Sequence, residues 1–102
     1  MSETLHRVQA LALSGEVEVS RHGLQDILLE DAVGSIGDAE PVEDYPDFHK
    51  GPSVLALQRD GSGRPIHVLW GMARGTTTPA VLVTAYRPDP RQWSEDFMRR
   101  QK

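Results

Sequence analysis

Apolar residues recur at helical spacing near the start of the chain. Leu5, Val8 and Ala12 fall at i, i+3 and i+7, which predicts a short amphipathic helix over residues 3–13. Gly15 is placed to stop it, because a left-handed residue after the last turn suits glycine best. Glu16-Val17-Glu18-Val19-Ser20 then alternates polar and apolar positions, the pattern of a half-buried strand. Leu24, Ile27 and Leu28 return to helical spacing and Ala32, Val33 and Ile36 extend it, predicting a helix over about 22–36 with a break near Leu29. Gly34 and Gly37 weaken its later turns, at about 1 kcal/mol each relative to alanine.

Extended structure is expected to follow. Tyr45 precedes Pro46 and is pushed away from helical geometry, so residues 41–46 read as an edge strand. Val54 to Leu57, Ile66 to Ala73 and Ala80 to Tyr86 are β segments separated by the glycine-bearing turns Asp60-Gly61-Ser62-Gly63 and Gly75-Thr76-Thr77. Short connections of this kind predict an antiparallel three-strand meander. At the end, Asp89 offers a cap and Pro90 suits the first helical position. Trp93 and Phe97 lie i, i+4, and Arg99, Arg100 and Lys102 complement a helix C-terminus. The expected fold is α+β: N-terminal helices packed on an antiparallel sheet with a three-strand meander, closed by a C-terminal helix.

Composition narrows the class. The 102 residues suit a single domain spanning 1–102. Cysteine is absent, which excludes a disulfide scaffold, a thiolate zinc site and a cysteine nucleophile. No apolar run approaches membrane-spanning length, and Met1-Ser2-Glu3 does not open a basic leader, so a soluble cytoplasmic protein with no membrane partner is expected. The net charge is −4, unevenly spread: residues 21–50 are dominated by Asp and Glu, whereas Arg dominates residues 51–102. A basic second half could face an anionic partner, although charges of both signs also simply solvate opposite faces of a small domain.

No glycine-rich phosphate cradle is present, and His6, His22, His49 and His67 never form an i, i+4 pair, so neither a metal nor another cofactor is expected. The remaining polar residues suit RNA cleavage without a metal. That reaction needs a base for the 2′-hydroxyl, an acid for the leaving oxygen and cations beside the phosphate. Histidine titrates in the right range, and arginine matches phosphate oxygens with its planar fork. His22 opens the second expected helix, His67 lies mid-strand, and Tyr86-Arg87 ends the last strand. His22 and His67 are therefore candidate acid and base, with Tyr86 beside them and Arg64 and Arg87 as phosphate-binding candidates. Taken singly, each also reads as an ordinary structural residue: a histidine bonded to a carbonyl, or a strand tyrosine with its hydroxyl satisfied.

Four short motifs in order, Ser20-Arg21-His22, Glu43-Asp44-Tyr45-Pro46, Gly63-Arg64-Pro65-Ile66-His67-Val68 and Val83-Thr84-Ala85-Tyr86-Arg87-Pro88, resemble a small bacterial domain family of unknown function. That family is similar to the BrnT and RelE/ParE toxins of toxin–antitoxin systems, and the resemblance spans about residues 17–90. It implies an α+β fold with helices on an antiparallel sheet, a nucleic-acid target such as RNA, and neutralisation by an antitoxin or other protein partner. Gln25 and Asp26 stand where such relatives carry an arginine. The alternative is a non-catalytic protein-binding module that keeps the fold without the chemistry, motivated by the acidic stretch 38–47 and by Trp93 and Phe97.

Overall fold

The computed structural model describes residues 2–20 and 23–101. The hydroxyl of Ser2 accepts the Leu5 amide at 3.0 Å and so caps helix α1 (Glu3–Leu13). The helix ends where Gly15 turns left-handed at φ +80°. Strand β1 (Val17–Val19), helix α2 (Leu29–Gly34) and a 3₁₀ turn (Ile36–Asp38) follow. The rest of the sheet is β2 (Glu40–Tyr45), β3 (Ser53–Arg59), β4 (Pro65–Gly71) and β5 (Ala80–Tyr86), in the spatial order β1-β5-β4-β3-β2.

Strands β2 to β5 pair antiparallel in sequence, so the expected meander is present and gains β2 as its edge. β1 pairs parallel with β5, which makes the sheet mixed rather than wholly antiparallel. Period-two alternation marks a strand but carries no direction, which is why the orientation of β1 could not be read. The expected 22–36 helix shrinks to α2. Gly23 and Asp26 both adopt positive φ, and Leu24 bridges to Ala85 so that the chain runs on along β5 before it can coil. The expected C-terminal helix does not form among the described residues either. Asp96 accepts the Ser94 hydroxyl at 2.6 Å and the Met98 amide at 3.1 Å, and Phe97 takes φ +60°. These local side-chain bonds replace helical ones.

Pleating gives the sheet two different faces. Val54, Ala56, Ile66, Val68, Trp70, Leu82 and Ala85 point one way and meet Leu5, Val8 and Ala12 of α1 together with Ala32 and Ile36. Gln58 ties α2 to this core. It donates to the Ala32 carbonyl at 2.6 Å and to the Ser35 hydroxyl at 2.8 Å, and accepts from the Trp70 indole at 2.7 Å. At the end of the sheet, the loop after β2 runs so close to the residues that follow β4 that a Cβ at Gly51 (φ +128°) would lie 1.9 Å from the Met72 carbonyl oxygen. No helix among the described residues is long and apolar enough to cross a membrane.

Candidate functional site

The outer face carries the polar chemistry. Register places Leu57 beside His67 and His67 beside Tyr86, while Glu43 lies beside Leu55 and Tyr45 beside Ser53. Because partners in register share a face and alternate residues do too, Glu43, Tyr45, His67 and Tyr86 all project from this side. His67 is completely enclosed, at 0% exposure. Its Nδ1 lies 3.2 Å from the Tyr86 hydroxyl and its Nε2 lies 2.8 Å from the Phe97 carbonyl oxygen. The carbonyl can only accept, so Nε2 carries the proton and Nδ1 accepts from Tyr86. Burial keeps the imidazole pKa below the ordinary histidine value and raises that of the Tyr86 phenol.

The enclosure comes from residues 89–101, which cross this face as a looped segment. The Trp93 indole meets the His67 ring edge-on at 4.4 Å between centroids. Arg100 grips Glu43 with two bonds, Nε to Oε2 at 2.7 Å and a terminal nitrogen to Oε1 at 3.0 Å, while its guanidinium lies 4.8 Å from the Trp93 ring centroid. The Tyr45 hydroxyl donates to the same carboxylate at 2.5 Å. Arg100 is the main reason that the Glu43 pKa is lowered, and the Glu43 carboxylate in turn raises that of Tyr45.

The two arginine candidates sit elsewhere, at the β3–β4 turn. Arg87 bonds Asp60 at 2.7 Å and Arg64 approaches the same carboxylate at 3.6 Å. Asp60 also accepts the Ser62 and Arg64 amides at 2.9 Å each, and its pKa is held to about 2, chiefly by the Arg64 amide. The structure thus joins His67 to Tyr86, and Arg64 to Arg87, as two separate groups. His22 lies outside the described residues. Among the described residues no three of His, Asp and Glu gather to hold a metal ion.

Nothing in the sequence pattern marks Glu43, Tyr45 and Arg100 together as one site. The i, i+2 spacing of Glu43 and Tyr45 within an edge strand was the available signal, since it puts both on one face. Beyond the covered region, the outer face continues as an apolar groove of about 370 Å³ lined by Phe48, Leu69, Met72, Val81 and Val83. The groove lies beside the polar cluster, not over it.

A family model described as Domain of unknown function (DUF4258) matches residues 19–87. No curated protein and no solved structure matches the chain. The matched region includes Glu43, Tyr45, His67 and Tyr86 and stops before the segment that covers them.

Proposed function

The chain belongs to the DUF4258 family, and on that premise we propose that it is a toxin-like ribonuclease domain that works without a metal and is held in a covered state. The observation that supports this reading is the gathering of Glu43, Tyr45, His67 and Tyr86, from three strands, on one face of the matched region. With that face open, the Glu43 carboxylate takes the proton of an RNA 2′-hydroxyl as its oxygen attacks phosphorus. The bond from phosphorus to the 5′-oxygen breaks, and His67 in its protonated form gives the leaving oxygen its proton. The product ends are a 2′,3′-cyclic phosphate and a 5′-hydroxyl. The hydroxyls of Tyr45 and Tyr86 are donors for the non-bridging oxygens. Arg87, next to Tyr86 in sequence, and Arg64 supply positive charge at the sheet end, partly offset by Asp60.

The test is prolonged incubation of stoichiometric full-length protein with RNA in the presence of EDTA. Slow cleavage leaving cyclic phosphate ends is expected, at least about 100-fold slower with His67→Ala, the usual scale for losing an acid or base. RNA left intact by the wild type, or cleaved equally fast by the variant, overturns the reading.

A second reading is a non-catalytic protein-binding module. It is favoured by the complete enclosure of His67, with both ring nitrogens occupied, and by the apolar groove next to exposed Phe48. Under that reading His67 only anchors the segment above it, and its replacement lowers stability with no change in RNA.

A further inference from the structure

We propose that residues 89–101 are an autoinhibitory strap latched by Arg100 on Glu43, an inference that rests on the ribonuclease reading of the same face. Three contacts of the strap take up groups that the reaction needs. The Phe97 carbonyl holds His67 Nε2, the Arg100 fork occupies both oxygens of Glu43, and the Trp93 indole covers the imidazole ring.

The strap is also built to move as one piece. Its internal bonds are its own: Ser94 and Gln101 amides donate to the Arg99 and Gln92 carbonyls, each at 2.8 Å, with Trp93 bridging to Arg100. Among the described residues, the hydrogen bonds seen between strap and sheet are the Phe97 contact and the Arg100 fork. That fork joins side chains 63% and 24% exposed, a setting in which water and salt weaken an ion pair. Releasing the strap returns His67 to water, where it can take a proton, and frees Glu43 to accept one. Opening therefore unmasks the pair and sets its protonation together.

The experiment compares full-length wild type with Arg100→Ala and Arg100→Lys, by amide hydrogen exchange and by RNA cleavage in EDTA. The expected result is exchange about tenfold faster in residues 93–101 of Arg100→Ala with β3 and β4 unchanged, RNA cleavage raised by a similar factor, and Arg100→Lys in between. Unchanged exchange with RNA still cleaved, or detectable cleavage that is equal in wild type and Arg100→Ala, overturns the strap while leaving the ribonuclease reading in place. Faster exchange with RNA intact in every sample overturns the ribonuclease reading, and the inhibitory role falls with it.

Discussion

His67 and Phe97 are thirty residues apart, yet the imidazole Nε2–H of one donates to the backbone carbonyl of the other at 2.8 Å in a fully enclosed site. Tyr86 completes the arrangement from the opposite side of the ring at 3.2 Å. His67→Ala removes both bonds, leaves the Phe97 carbonyl and Tyr86 hydroxyl without their partner and opens a void beneath Trp93. A loss of about 2–4 kcal/mol is expected in urea unfolding. A loss below about 1 kcal/mol would show that the enclosure contributes little to holding the segment down.

Burial of the same imidazole fixes a pH dependence. In the folded chain desolvation holds the His67 pKa below its ordinary value, whereas the unfolded chain binds a proton near pH 6.5. Below that pH the unfolded state holds more protons, so stability falls as pH drops through 6.5 toward the folded pKa. Glu43 and Asp60, whose carboxyls are held low, lose their contributions only below about pH 4.5. The wild-type urea midpoint should therefore fall between pH 7 and pH 5 by more than that of His67→Gln. Parallel curves for the two proteins would contradict this.

Asp60 restrains both arginine candidates at one turn. Asp60→Ala releases two guanidinium groups and removes a negative charge, so affinity for a short single-stranded RNA at low salt should rise roughly 3–10-fold. Adding Arg87→Ala should cancel the gain. Fluorescence anisotropy with labelled RNA measures it, and unchanged affinity would remove Arg64 and Arg87 from any phosphate-binding role.

Gln58 connects three groups across the inner core. Gln58→Leu leaves the Trp70 indole N–H and the Ala32 carbonyl without partners away from water. It should cost about 2–3 kcal/mol, read from urea unfolding, with amide exchange in α2 rising first. A neutral substitution would mean that α2 is held by Ala32 and its apolar neighbours alone.

Local pattern carried much of the architecture. The spacing of Leu5, Val8 and Ala12 marked α1 over the same eleven residues, and the turn around Asp60 marked the β3–β4 hairpin. Where side chains compete with the backbone, pattern misled. Trp93 and Phe97 have helical spacing, but Asp96 and Asp89 bond nearby amides and the stretch loops instead. His67 and Tyr86 were legible as polar residues in apolar strands, and register alone brings them together. The Glu43–Arg100 pair spans 57 residues and depends on how the segment after β5 folds back, which spacing does not encode. Gln58 gave no sequence sign because a buried amide in a strand looks like any solvent-facing one.

The most direct measurement is the RNA cleavage rate of full-length Arg100→Ala set against Arg100→Ala/His67→Ala, in EDTA and at equal folded concentration. The expected result is cleavage to cyclic phosphate ends by the first protein and a rate lower by at least about 100-fold in the second. Equal rates, or no cleavage by either, would mean that the imidazole beneath the strap serves the fold alone.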